Sequence, residues 1–301
     1  MRPVVIGARG SSLSRCQAQI VQRRLEAAHP VRRFAFKAIA AAGDTQPNAN
    51  LTAIGGEGIF VKELEAALLA GEIDCAVHSL KDLPLQTPDR LTVAAITERD
   101  DARDAFISRS GRRFDELPPG ATIGTSSPRR ASQLRLRRKD IECVEIRGNV
   151  DTRLRKLQEG RYDAIVLAAC GLVRLGLEAR ITEWLPFEVM LPEPGQGALA
   201  VEARRDDDIL SMLRELDHAE SRACVEAERA FLAALGGGCR VPIAAYASCE
   251  GETVHLEGAV TAVDGRAQVR ARLHGPTTEP RVVGRHLAEQ LIVQGAQRLL
   301  N

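Results

Sequence analysis

Aromatic residues make up only 3% of this 301-residue sequence, so no extended ring surface for stacking bases is expected. Lysine is also scarce. Five lysines stand in a total of 41 lysines and arginines, so nearly every positive charge is a guanidinium. An alanine- and arginine-rich base composition accounts for that bias. So does a need for planar forks that grip carboxylates or phosphates. The formal net charge is +1, which leaves no global field to gather nucleic acid or an anionic membrane. The longest apolar run, residues 164–173, is too short for a bilayer-spanning helix. Met1-Arg2-Pro3 leads straight into Val4-Val5-Ile6, so no secretion signal is expected.

Other absences narrow the chemistry. The cysteines at 16, 75, 143, 170, 224, 239 and 249 include no C-x-x-C, which removes zinc-ribbon and thioredoxin-like patterns. An odd count without close pairing suits a reduced, cytoplasmic protein. There is no H-E-x-x-H among the six histidines, no G-x-S-x-G elbow, and no GK[ST] ending to the glycine run. What is present is an ordinary globular composition, 45% apolar and 27% charged, long enough for two domains or three small ones.

The chain reads as repeated strand-to-helix turns. Val4 to Ala8 is a buried strand, and Arg9-Gly10-Ser11-Ser12 leads into a helix to about Ala28. Phe34 to Ala40 is a second strand, residues 41–58 a glycine-rich loop, and Val61 to Ala70 a helix. Ile73 to His78 is a strand ending in Ser79-Leu80-Lys81-Asp82-Leu83-Pro84. Pro84 stops regular structure, so Lys81 and Asp82 sit where ligands bind in open α/β sheets. After a strand at Leu91 to Ile96 and a charged crossing at 98–104, a second α/β series begins. Its strands are Ala121 to Gly124, Ile141 to Ile146 and Tyr162 to Ala169. The turns after them carry Thr125-Ser126-Ser127-Pro128-Arg129-Arg130, Arg147-Gly148-Asn149 with Arg153, and Arg174. Ser and Pro are good helix starters, and helix N-termini attract anions. Ala198 to Glu202 reads as a strand returning to the first series. An Asp264-Gly265 hairpin between alternating segments and a helix from Pro280 to Leu299 complete a small α+β module.

Several residues support two readings each. Residues 129–156 hold ten Lys or Arg and four Asp or Glu, but no aromatic, which argues against nucleic acid. Arg135, Arg137, Arg138 and Lys139 read as a solvated helix end. Arg129, Arg130, Arg147, Arg153 and Arg174 follow strand-to-helix turns and are the ligand candidates. His78 is either a base or a structural partner, and Asp82 either a site carboxylate or half of a surface pair. A helix built on Ala223, Ala227, Phe231 and Ala234 runs into Gly236-Gly237-Gly238-Cys239, with Pro242 beyond. A free cysteine is often a small buried hydrophobe; this one sits on a backbone that a bulky group can approach.

The chain carries, in order, Arg9-x-Ser11, Gly58-Ile59-Phe60-Val61-Lys62-Glu63-Leu64-Glu65, His78-Ser79-Leu80-Lys81-Asp82-Leu83-Pro84 and Arg103-Asp104-Ala105-Phe106. Gly124 to Arg130, Arg147 to Leu154, Tyr162-Asp163-Ala164-Ile165, Gly195-Gln196-Gly197 and Gly236-Gly237-Gly238-Cys239-x-x-Pro242 follow. This ordered set resembles the porphobilinogen deaminase (hydroxymethylbilane synthase) family. The resemblance implies two periplasmic-binding-protein-like α/β domains around a cleft and a small C-terminal α+β domain. The expected domains are residues 1–98 with 196–216, residues 99–195, and residues 217–301. It implies a cytoplasmic, monomeric transferase of porphyrin and heme biosynthesis, acting on porphobilinogen without nucleic-acid or membrane partners. It implies a dipyrromethane cofactor on a thioether to Cys239, with Asp82 as the catalytic carboxylate. Ser79, Lys81, Asp82, Thr125, Ser126, Ser127, Arg129, Arg130, Arg147 and Gly148 would hold the cofactor. Arg9, Ser11, Phe60, Arg147, Arg153, Arg174 and Gln196 would hold the substrate. The chain departs from the family where two loop lysines are usual, with Ala53 and Glu57 in their place. Glu57 near anionic pyrroles is expected to weaken closure of the 45–60 loop.

Overall fold

The computed structural model describes residues 2–40, 61–237 and 241–300. In chain order the first elements are β1 (Val4–Arg9), α1 (Ser12–Ala28), β2 (Phe34–Ile39), α2 (Lys62–Leu69), β3 (Cys75–Ser79) and β4 (Leu91–Ile96). Next come β5 (Asp104–Ser108), β6 (Thr122–Gly124), α3 (Pro128–Arg137), β7 (Glu142–Val144), α4 (Val150–Gln158), β8 (Ala164–Ala168), α5 (Ala169–Arg174) and β9 (Glu183–Leu185). The last are β10 (Leu199–Arg204), α6 (Leu210–Arg214), α7 (Ala219–Ala234), β11 (Ile243–Glu250), β12 (Thr253–Thr261), β13 (Gln268–Pro276), α8 (Pro280–Val293) and α9 (Ala296–Leu300). The chain divides into two compact units, Met1–Arg99 with Ala198–Arg222, and Asp100–Gly197 with Ala223–Asn301.

The first unit is a five-stranded sheet in the order β2-β1-β3-β10-β4. β1 runs parallel to β2 and β3, while β10 is antiparallel to β3 and β4. Because the strands run outward in both directions from β1, the order reverses between β1 and β3. Ligands in open α/β sheets bind at such a switch point, beyond the strands' C-terminal ends. Ala18, Val21 and Leu25 recur on one face of α1 and bury against Ile6, Val77 and Val201. The other face of the sheet is covered by α2 through Leu64 and Leu68, packed with Ile73 and Leu91.

The second unit contains a sheet with the same logic, β7-β6-β8-β5-β9, and its switch point lies between β6 and β8. β6 is parallel to β7 and β8; β5 is antiparallel to β8 and β9. One face buries Phe106, Ile123, Leu134 and Met190, the other Ile146, Leu154, Ile165 and Leu172. The same unit carries the α+β module. Its three antiparallel strands β11-β12-β13 bury Ala245, Leu256 and Val260 against Phe231 of α7 and Leu287 of α8. A second cluster of Leu191, Ala244 and Ala259, with Phe187 and Tyr246, joins the module to the segment after β9.

The fold class expected from the sequence, two α/β parts and a small α+β part, matches these three sheets. Three details differ. The crossing at 98–104 ends earlier than expected, because Asp104 already pairs with Ala168 and Leu185 as the first residue of β5. The module has an additional strand, β11, directly after Pro242. The final helix is two, because Gly295 at φ +96° breaks it between Val293 and Ala296.

Candidate active site

In the first unit the motif residues gather at the C-terminal ends of β1 and β3. Those strands are neighbours in parallel, with Ile6 beside Cys75 and Gly7 beside Ala76, so Arg9 and Ser79 finish on the same edge. Ser11 caps α1: its hydroxyl accepts from Ser14 N at 3.2 Å and donates to Ser14 Oγ at 2.8 Å. Ser79 is held by Gln17, a buried residue of α1, whose Nε2 donates to Ser79 Oγ at 2.8 Å. A single 3-10 turn, Leu80–Asp82, follows. Leu80 and Leu83 are buried and anchor the turn, so Lys81 stays half-buried and Asp82 exposed. His78 is buried 3.1 Å from the buried carboxylate of Glu202, which places it as a structural partner inside the sheet.

The second unit repeats the arrangement with two arginines in the turn. Ser127 caps α3, Pro128 starts it, and Arg129 and Arg130 follow in its first turn. Both arginines are buried, at 2% and 6% exposure. They converge on Asp104, which is fully buried. Arg129 Nη1 donates to Asp104 Oδ2 at 2.8 Å. Arg130 donates to Asp104 Oδ1 through Nη2 at 2.8 Å and Nε at 3.1 Å. Gln196, also buried, donates to the same oxygen at 2.9 Å. Antiparallel β5 makes this possible, because its first residue lies level with the last residue of β8. Burial alone would raise the Asp104 pKa, but the two guanidinium charges outweigh it and hold the carboxyl well below its usual range.

Asp104 contacts both arginines, Glu193 adds a second negative charge near Arg130, and a third arginine stands near. Arg153 donates from Nε to Gly148 O at 2.7 Å. Burial first, then the charge of Arg130, pull its guanidinium down to about 10. Arg129 Nε and Nη2 are buried with no hydrogen-bond partner among the described residues. Leaving buried donors of a charged group unmade costs free energy unless an anion takes them up. The cluster is a cationic socket short of negative charge.

The remaining candidates divide between site and scaffold. Thr125 Oγ1 accepts from Ser127 N at 3.2 Å, and Ser126 Oγ donates to Ile146 O, so these hydroxyls shape the turn after β6. Gly148 has φ +116°, and a Cβ there would meet Thr152 Cγ2 at 2.6 Å, which restricts the position to glycine. Arg147 is half-buried and paired with Glu145 at 2.7 Å. Arg174 closes α5 rather than opening it, and its Nε donates to Asp100 Oδ2 at 2.8 Å. The expected solvated helix end needs correction at Arg138, whose side chain is only 13% exposed. Its Nη1 donates to Phe114 O and Leu117 O at 3.1 and 2.9 Å. Phe60, Cys239, Ala53 and Glu57 lie outside the described residues.

Residues 4–212 match the family model described as porphobilinogen deaminase, dipyromethane cofactor binding domain, and residues 222–293 match the C-terminal domain of the same family. The chain belongs to the porphobilinogen deaminase family. Its curated relatives include porphobilinogen deaminase of Roseiflexus castenholzii, 49% identical over 298 residues, covering 99% of this chain and 98% of the relative. The porphobilinogen deaminase of Desulforudis audaxviator is 49% identical over 300 residues, 99% and 97% of the two chains. Among solved structures, the Bordetella pertussis BvgS periplasmic VFT2 domain aligns with TM-score 0.40 at 15% identity, over 71% of this chain and 86% of that one. As a family member the chain is a transferase with a dipyrromethane cofactor binding domain. The buried Arg129 nitrogens, without a partner among the described residues, fit a group that carries carboxylates. The sequence pointed to the arginines but not to their counter-ion. Asp104 stood in a run of charges at 98–104 and in the motif Arg103-Asp104-Ala105-Phe106, but neither marked it as the partner of Arg129 and Arg130.

Proposed function

We propose that this enzyme joins four porphobilinogen molecules head to tail, losing one ammonia at each junction, on a dipyrromethane carried by Cys239, and that water then releases hydroxymethylbilane. The observation that carries this reading is the buried Arg129 guanidinium, two of whose nitrogens have no hydrogen-bond partner among the described residues, beside Arg130 and the Asp104 carboxylate. Porphobilinogen bears an acetate and a propionate, so each added unit brings two carboxylates to be held. The bound dipyrromethane supplies an electron-rich pyrrole carbon, tethered so that the joining steps are intramolecular.

The protein's part is to hold charge and move protons. Arg129, Arg130 and Arg147, with Gly148 and the turn Thr125-Ser126-Ser127, bind the cofactor carboxylates together with Ser79 and Lys81. Arg9, Ser11, Arg153, Arg174 and Gln196 receive the substrate, Arg174 by exchanging Asp100 for a substrate carboxylate. Phe60 covers the site. Loss of ammonia from an aminomethylpyrrole leaves positive charge on the ring and its exocyclic carbon. The exposed carboxylate of Asp82 offsets that charge and accepts the pyrrole proton released after each bond forms. In this reading the domains are residues 1–98 with 196–216, 99–195 and 217–301, in a cytoplasmic monomer of the heme pathway.

Intact mass tests the proposal. Protein expressed in a heme-making host is expected to exceed its sequence mass by one dipyrromethane, and Cys239→Ser to show the bare mass. Asp82→Asn is expected to keep the added mass while turnover falls by about 10²-fold or more. A bare sequence mass for the unsubstituted protein would reject the covalent cofactor, and near-normal turnover of Asp82→Asn would reject the role of Asp82.

A further inference from the structure

Two cysteines outside the site stand closer than packing alone requires. Cys224 of α7 and Cys249 of β11 hold their sulfurs 3.4 Å apart, and neither is in a disulfide with another described residue. We infer that Cys224 and Cys249 form a modification site, a dithiol that a small-molecule disulfide such as oxidised glutathione converts reversibly to an intramolecular disulfide.

The spacing is built into the packing. Cys224 and Glu228 are four apart on α7 and share a helix face, while Ala247 and Cys249 are two apart on β11 and share a sheet face. Glu228 is fully buried and accepts from Ala247 N at 2.7 Å through Oε1 and from Gly195 N at 2.7 Å through Oε2. The helix is thus pinned to the strand one turn from the thiols. Cys249 is also fixed in register opposite Val254 of β12. A disulfide holds its sulfurs about 2.05 Å apart, so the sulfurs must close from 3.4 Å to that distance.

Two of the other described cysteines are poor competitors. Burial, then Asp74, push the Cys75 thiol up to about 12, and burial also raises Cys143. Within the pair Cys249 is half-buried and Cys224 buried, so attack begins at Cys249. Its thiolate displaces one thiolate from the small disulfide, giving a mixed disulfide. The Cys224 thiolate then attacks the Cys249 sulfur and expels the second. Two cysteine thiols are oxidised, one small disulfide is reduced to two thiols, and the two cysteine protons end on those thiols. In a reducing compartment the resting form is the dithiol. The new bond closes a ring around residues 225–248, which include Gly236-Gly237-Gly238-Cys239. Closing a ring of that size lowers the entropy of the unfolded chain and raises thermal stability.

The test uses the full-length protein and graded oxidised glutathione, and reads no turnover. Peptide mapping without reductant is expected to find the Cys224 and Cys249 peptides linked, with an intact mass lower by two hydrogens. The melting temperature is expected to rise, and dithiothreitol to reverse both changes. Cys224→Ser is expected to stop at a glutathione adduct on Cys249, with no linked peptide and no rise. Cys224→Val serves the same purpose if the serine variant does not fold. The inference is overturned if excess oxidised glutathione leaves both thiols free, if Cys249 keeps glutathione in the unsubstituted protein, or if either cysteine links to a third.

Discussion

Asp104→Asn removes the negative charge that contacts both arginines of the socket while keeping its shape. The carboxylate is fully buried and touches Arg129 and Arg130 at 2.8 Å each. One such ion pair is worth about 4 kcal/mol at the effective dielectric constant that describes protein sites. Removing one partner of a buried pair costs about 3–5 kcal/mol, because the other charge is left uncompensated. Here two cations are left, so the upper part of that range is expected, a large share of a stability of about 5–15 kcal/mol. Urea unfolding can be followed at the chain's single tryptophan, Trp184, which lies in β9 opposite Ala105, the residue after Asp104. The pH dependence carries a sign. The folded pKa of Asp104 is depressed, so its stabilisation is complete above the unfolded value of about 3.9 and is lost as pH falls further. The difference in stability between the unsubstituted protein and the Asp104→Asn variant should therefore be constant from neutral pH down to about 5 and shrink below about 4. A difference under about 1 kcal/mol at neutral pH, or one that grows with acid, would refute the account of the socket.

Gly284→Ala would ordinarily favour a helix by about 1 kcal/mol, but a Cβ there would meet Ala227 O at 2.2 Å where α8 crosses α7. A net loss of about 1–3 kcal/mol by thermal melting is expected, and a gain would show that the helices separate freely. The Arg153 guanidinium is expected to begin losing its proton near pH 10, seen in the carbon signal of its ζ position. No change in that signal up to the alkaline limit of folding would show that burial and Arg130 do not press on it. Arg129→Met is expected to leave the fold in place while the dipyrromethane mass is lost or substoichiometric; full loading would mean that its unpartnered nitrogens are not used.

Much of the fold was legible because its signals are local. Ser127-Pro128 is a local helix start, and Asp264-Gly265 a local hairpin turn, each found where it was expected. The order of the motifs was enough to name the family. Harder to read were elements defined by their neighbours. β5 is five residues long and begins on a charge, and it is a strand because β8 and β9 flank it. The arginines at 129 and 130 were recognisable as anion ligands from their place in a turn, but their burial was not. An arginine can be buried only where a carboxylate is brought to it, and Asp104 comes from 25 residues earlier by strand pairing. Arg174 shows the reverse case, an arginine at the right turn whose guanidinium is already paired with Asp100.

The residue types and their order along the chain established the kind of chemistry: guanidiniums for carboxylates, an acid after a strand, a thiol after a glycine run. Local propensity and motif spacing contain that much. Which arginine keeps open nitrogens, which carboxylate is spent as a counter-ion, and which two of the cysteines face each other were decided by tertiary structure. Each depends on distances between residues far apart in sequence, and only the pairing of strands and the packing of helices on them sets those distances.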